Sequence, residues 1–269
     1  MTARLRMALV IVCVAVLTIL LMPVQLIAIK LDLKLARKMP KLWHRIVIWL
    51  IGLRINVSGK LVKDRPLLIV SNHVSWADIL VLGSIAELSF IAKHEVDQLP
   101  GANLLARMQR TIFVVREAKR DVGKQAREIT QRLLSGDAMV LFAEGTTADG
   151  HRILDFKSSL FGAAQYAVKE GGVDHVYVQP VSITYTRLHG MPLGRHGRTL
   201  SAWAGDEELG PHLKQFVRKS AWDVEVGIGS ATRIDETVHR RDIASQTRKQ
   251  VRAMHLAAVR RGSAATETE

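Results

Sequence analysis

Residues 7–29 carry no formal charge, a run of 23 residues that is long enough as a helix to cross a hydrocarbon core of roughly 30 Å. No other stretch restricts the chain so strongly, because an uncharged helix of that length needs either lipid or a deep protein groove. Pro23 and Gln25 interrupt its last third, so a kinked or re-entrant helix is the alternative to a straight span. Arg4 and Arg6 precede it, and Lys30, Lys34, Arg37, Lys38, Lys41 and Arg45 follow it. The larger positive cluster therefore lies after the span, which orients the remainder of the chain towards the cytoplasm. The run exceeds a signal-peptide core and no A-x-A-like site follows it, which argues against cleavage. A second apolar stretch over 42–53 is introduced by Pro40 as a first-turn residue. Trp43 and Trp49 suit the headgroup level, so this reads as a helix lying in the interface, with an ordinary core-packing helix as the alternative. Residues 1–53 thus form a membrane-anchoring segment, 54–261 a catalytic-sized domain, and the polar 262–269 a disordered tail.

The charge supports this division. The chain carries +13 overall, but residues 1–60 hold ten Lys/Arg against Asp32 alone, +9, leaving +4 for the other 209 residues. Positive charge gathered around an apolar N-terminus fits an anionic membrane surface. A nucleic-acid groove fits it poorly, and 5% aromatic content is low for base stacking. A non-catalytic lipid-binding protein remains the other class compatible with this segment. Cys13 is the single cysteine, so no intrachain disulfide and no cysteine-rich zinc site can form.

From residue 54 onward strands and helices alternate. Strands are predicted at 55–57, 67–70, 89–92, 111–115, 138–142, 176–184 and 222–228. Helices are predicted at 79–85, 101–108, 121–134, 158–168, 208–219 and 242–260, with 200–203 a short apolar run. The pattern implies an α/β fold, a mixed central sheet layered by helices, with sites at strand ends.

One such end is the stretch SNHVSWADIL, residues 71–80, between the apolar run 67–70 and the helix at 79–85. Asn72, His73 and Asp78 sit there, and no other histidine in the chain has an aspartate five residues on. A carboxylate one or two helical turns away can hold one ring nitrogen and leave the other free as a base. A histidine that merely caps the helix or ties down the loop is the alternative.

Four ordered blocks carry a resemblance. They are Asn72-His73 with Asp78 (N-H-x4-D), 110–116 (RTIFVVR), 142–147 (FAEGTT) and 179–183 (QPVSI). Together they resemble the glycerolipid acyltransferases typified by 1-acylglycerol-3-phosphate acyltransferase, over roughly 54–230. The resemblance implies a glycerolipid acyltransferase fold and transfer of a fatty acyl group from acyl carrier protein or coenzyme A to a lysolipid hydroxyl. It implies no cofactor and no metal, and a location on the cytoplasmic face of a bacterial inner membrane. It assigns His73 and Asp78 to catalysis. Asn72, Arg116, Glu144, Gly145, Thr146 and, secondarily, Lys157 go to substrate binding, while Pro180 and Ser182 shape the site. An alcohol that attacks a thioester directly needs only a base and an oxyanion site. With no G-x-S-x-G elbow and Cys13 in the apolar segment, an acyl-enzyme is disfavoured. The oxyanion donors are sought among backbone N–H groups just after His73.

Two departures matter. Arg110 stands where the second block has glycine, and Thr147 where phosphate-handling members have arginine. The extended stretches FAEGTTAD, FKSSLFGAA and QPVSITYTR look like a bacterial subgroup that includes enzymes acting on lyso-ornithine lipid. Lysophosphatidate is the main acceptor expected and lyso-ornithine lipid the alternative.

Overall fold

The computed structural model describes residues 3–99, 101–114, 122–203 and 207–264. Two helices come first, α1 (Ala3–Lys30) and α2 (Leu35–Ile51), followed by β1 (Leu53–Ser58), β2 (Leu67–Ser71) and α3 (Ala77–Ile85). Then come β3 (Ser89–Lys93), α4 (His94–Asp97), α5 (Ala102–Met108), β4 (Ile112–Val114), α6 (Val122–Leu134) and β5 (Ala138–Phe142). A 3-10 turn at Ser158–Phe161 leads into α7 (Gly162–Lys169), β6 (Val176–Leu188), β7 (Met191–Pro192) and α8 (Arg195–Thr199). The chain ends with α9 (Leu209–Lys219), β8 (Trp222–Ile228), β9 (Thr232–Ile234) and α10 (Arg240–Ala264).

The strands form one mixed sheet in the order β1-β8-β6-β2-β5-β3-β4, with β7 and β9 also paired to β6. β2 runs parallel to both β5 and β6, with Ser71 level with Phe142 and Val181. Side chains alternate across a strand. Leu67 and Ile69 enter the core on one face of the sheet and Leu68 and Val70 the core on the other. A strand covered on both faces has no polar side, which is why 67–70 reads as an unbroken apolar run. β6 is longer than its apolar pattern predicts because β8 pairs with it as far as Leu188↔Trp222. That extension carries Ile183 and Tyr185 beyond the end of β2, alongside the loop that follows it.

α2 differs from its predicted form. It begins at Leu35, which places Pro40 inside the helix. A proline has no N–H for the carbonyl four residues back. Gln25 supplies the missing donor: its Nε2 donates to Ala36 O at 3.0 Å, and also to Met108 O at 2.6 Å. The polar residue that interrupts the apolar run is thus the partner of the proline that interrupts the next helix. Trp43, expected at the headgroup level, instead donates to Thr18 Oγ1 at 3.0 Å. Val47, Ile48 and Ile51 of α2 join the same core as β2, while Trp49 is 77% exposed. α2 is therefore core-packing on one face and open on the other.

α1 is held to the same body near both ends, Arg6 donating to Val217 O and Gln25 to Met108 O. Those anchors are 19 residues apart, about 28 Å along a helix. α1 therefore lies along the domain, and Leu9, Val12, Val16, Ile19, Leu20 and Ile27 form an exposed apolar face. Of the tail expected at 262–269, residues 265–269 lie outside the described residues and 262–264 are helical. α10 continues through Gly262 to Ala264, because Gly262 sits close against Thr186, where a Cβ would come within 2.9 Å of Thr186 Cβ. The apolar run 200–203 follows α8 as turn and irregular chain.

Behind the sheet, His255 on α10 is 3% exposed, its Nδ1 2.9 Å from Thr184 Oγ1. Burial, with Arg198 adding to it, lowers its pKa to about 4. The unfolded chain takes up this proton below its ordinary value of 6.5, the folded one only near 4. Stability present above 6.5 is therefore lost as pH falls towards 4, by about 3 kcal/mol in full. Thermal melts at neutral pH and at pH about 5 should show His255→Gln losing less stability on acidification than the parent. Equal losses in the two proteins would rule the group out.

Candidate active site

The loop after β2 is fixed from three sides. Asn72 is fully buried and exchanges two hydrogen bonds with the extension of β6, Nδ2 to Ile183 O at 2.9 Å and Ile183 N to Oδ1 at 2.8 Å. Glu144, 1% exposed at the end of β5, accepts His73 N at 3.0 Å on one oxygen and Leu154 N at 3.0 Å on the other. The carbonyl of His73 accepts Ala148 N at 2.7 Å. His73 thus has its backbone pinned on both sides while its ring stays free to face a cleft.

Asp78 is fully buried in the first turn of α3. Its Oδ2 lies 2.9 Å from His73 Nδ1 and also accepts Val74 N at 2.6 Å and Ser75 N at 2.9 Å. Its Oδ1 accepts the hydroxyl of Tyr185 at 2.8 Å. Four donors on one carboxylate fix its plane. With Nδ1 as the donor to Asp78, Nε2 is the ring nitrogen left to act as a base. Phe142 stacks on the imidazole, 3.9 Å between centroids at 14°, and completes the support of the ring. The Tyr185 hydroxyl is buried and beside Asp78, which raises its pKa well above 10.0, so it stays a donor.

Asn72 and Glu144, assigned by resemblance to substrate binding, have their polar atoms bonded to backbone groups, and in that arrangement they position the loop. Burial raises the Glu144 carboxyl to about 7, opposed by the two N–H donors on it. The N–H groups of Val74 and Ser75, first candidates for an oxyanion site, are already taken by Asp78. Lys157 is exposed, its backbone N–H binds Ala143 O at 2.9 Å, and it is not among the residues that line the cavity beside His73. Arg116 lies outside the described residues. Gly145 and Thr146 do line the cleft, Gly145 with φ 75°, a left-handed backbone that a side chain would strain. Tyr185 was missed by sequence reasoning. Its signal was present, a tyrosine two residues past Ile183 on the strand of the fourth block, but nothing local indicates which residue of β6 comes level with Asp78.

The ring of His73 opens into a cavity of about 840 Å³. Its walls come from α1 (Val14, Leu21), α2 (Trp43, Val47), α3 (Ile79, Leu80) and α9 (Leu213, Val217), nearly all apolar. Ligand cavities span roughly 300–1,000 Å³, so this one can hold most of a long hydrocarbon chain. Lys93 and Glu95 line it as well, and neither was singled out from the sequence. Among the described residues no cluster of metal-binding side chains occurs.

A base held by a buried carboxylate, at the end of a parallel strand and beside an apolar chain-sized cavity, is the equipment of an enzyme that acylates lipid alcohols. The acyltransferase family model matches residues 54–184, and the chain belongs to that family. It is an O-acyltransferase acting on lysolipids. It is 47% identical to a lyso-ornithine lipid O-acyltransferase of Brucella abortus (strain 2308), over 94% of this chain and 95% of that protein. To the enzyme of the same description from Rhizobium meliloti (strain 1021) it is 46% identical, over 93% of this chain and 85% of that protein. Among solved structures, the 1-acyl-sn-glycerophosphate (LPA) acyltransferase PlsC from Thermotoga maritima matches with a TM-score of 0.54 at 23% identity. That match covers 81% of this chain and 79% of that one and supports the fold.

Proposed function

We propose that this enzyme transfers a fatty acyl group from a thioester of acyl carrier protein or coenzyme A to the free hydroxyl of lyso-ornithine lipid. The observation that carries the acceptor is identity of 46–47% to two enzymes of that description, spread over more than nine-tenths of the chain. This replaces lysophosphatidate, the main expectation from the sequence. Two features agree. Thr147 takes the place of an arginine suited to phosphate, and the cavity carries one positive and one negative side chain, Lys93 and Glu95. Ornithine offers an amine and a carboxylate together, which a cation and an anion in one cleft complement.

In the reaction, the acceptor hydroxyl gives its proton to Nε2 of His73 as its oxygen attacks the thioester carbonyl. Asp78 stabilises the imidazolium so formed. The C–S bond then breaks, and the imidazolium returns the proton to the leaving sulfur. The cavity beside His73 holds hydrocarbon away from water during these steps. The enzyme sits on the cytoplasmic face of a bacterial inner membrane, where both thioesters are found. It binds through the exposed face of α1 in one leaflet, since both ends of that helix are tied to the domain.

The test is a competition: membranes containing the enzyme, a labelled acyl donor, and equal lyso-ornithine lipid and 1-acylglycerol-3-phosphate. Diacylated ornithine lipid should form at least about tenfold faster, the discrimination expected from one well-placed charged contact. Phosphatidate as the major product would overturn the acceptor and leave acyl transfer standing. No ester product from either lipid would overturn both.

A further inference from the structure

At the opposite end of the sheet from His73 lies a second polar cluster that the transfer reaction does not use. Arg37 on α2, Arg65 ahead of β2, Arg110 after α5 and Arg132 on α6 gather around Asp137, which precedes β5 and is 4% exposed. Arg37 Nε meets Asp137 Oδ1 at 3.0 Å, and Arg132 Nε meets Oδ2 at 2.5 Å. Arg132 also donates to Ser89 Oγ at 2.8 Å and to Arg110 O at 3.2 Å. Both carboxylate oxygens are then engaged, and the Arg110 guanidinium approaches no closer than 3.5 Å.

Among the described residues that ion pair is the only polar contact of the Arg110 guanidinium, although its side chain is just 16% exposed. A guanidinium has five N–H donors, and leaving them unmatched away from water is costly. Beside it a cavity of about 90 Å³ is lined by Arg37, Arg65, Arg110, Asp137 and the exposed Glu87, which enters no ion pair among the described residues. Arg110 also has φ 59°, a left-handed conformation that strains a residue with a side chain. Burial, with Arg132 adding to it, lowers its pKa, and Asp137 opposes that. The cluster adjoins the connection between α1 and α2, where Leu31, Leu33 and Leu35 are exposed among Lys30, Lys34 and Lys38.

We propose that Arg37, Arg65 and Arg110 form a site for a phosphate group, as offered by a phospholipid headgroup or by phosphate in solution. The exposed leucines next to it favour the headgroup. Such a site would fix the edge of the α1–α2 hairpin at the membrane surface, about the length of β2 away from the chemistry.

The test uses the full chain and Arg110→Gly, since glycine fits the backbone at φ 59°. In buffer without phosphate the variant should melt no lower than the parent, which separates ligand loss from misfolding. Partition is measured into phosphatidylcholine vesicles with and without phosphatidylglycerol, with Lys38→Gln as a control for removing one charge. Loss of a surface charge costs about fivefold. Loss of hydrogen bonds to a charged group should cost on the order of 30-fold. A 30-fold loss for Arg110→Gly, seen only with the anionic lipid, identifies a headgroup. If inorganic phosphate at matched ionic strength raises the melting temperature of the parent and not the variant, and partition shows only the charge effect, the ligand is phosphate in solution. If the variant matches Lys38→Gln in the vesicles and the parent in phosphate, there is no site.

Discussion

Replacing His73 by alanine should lower acyl transfer by roughly a thousandfold or more while leaving the protein folded and bound to membranes. The imidazole offers the cleft a nitrogen that is both free and oriented, since Asp78 engages Nδ1 at 2.9 Å. Without it the lipid alcohol must lose its proton to water, and Asp78 cannot substitute because it is fully buried behind the ring. Stability should change little. The ring is 17% exposed and stacks on Phe142, whereas the loop is fixed through the backbone of His73 and the side chains of Asn72 and Glu144. Single-turnover transfer from a labelled thioester, beside a thermal melt, measures both. Activity within tenfold of the parent in a folded variant would remove His73 as the base.

Asp78→Asn should cost activity on a similar scale, a hundredfold or more, and in addition lower the melting temperature. The carboxylate accepts from His73, Val74 and Ser75 on one oxygen and from Tyr185 on the other. An amide has one oxygen to offer. If it stays with the two backbone N–H groups, the NH2 faces the Tyr185 hydroxyl, which must then turn and accept. If it turns the other way, the NH2 meets the two backbone donors. In either orientation the charge that favours the imidazolium is gone. Loss of turnover with little change in acceptor KM is the expected signature, because Asp78 does not reach the cavity. A variant that instead loses acceptor binding and keeps its turnover would show that Asp78 serves the substrate and not the histidine.

The motif around His73 was legible because its parts are local. A histidine five residues before an aspartate, at a strand-to-helix junction, can close on itself without help from the rest of the chain. The alternation of strands and helices was equally legible, since both faces of β2 are buried and its sequence says so. Arg110 in place of glycine and Thr147 in place of arginine were visible too, as departures from a resemblance. The backbone bonds of Asn72 and Glu144 were not legible, for a related reason. Sequence shows that a polar residue is near a site and not which atoms it spends on the backbone.

What the sequence determined by itself was the order of elements, the apolar segment at the start and the candidate base with its carboxylate, all set by patterns spanning a few residues. Only the tertiary structure decided that α1 lies along the domain, that Gln25 serves the carbonyl left free by Pro40, and that Tyr185 supports Asp78. It also decided that three arginines from separate elements surround one small cavity. Those facts depend on which strands pair and how far they extend, and such pairings join residues dozens to more than two hundred positions apart, beyond the reach of any local pattern.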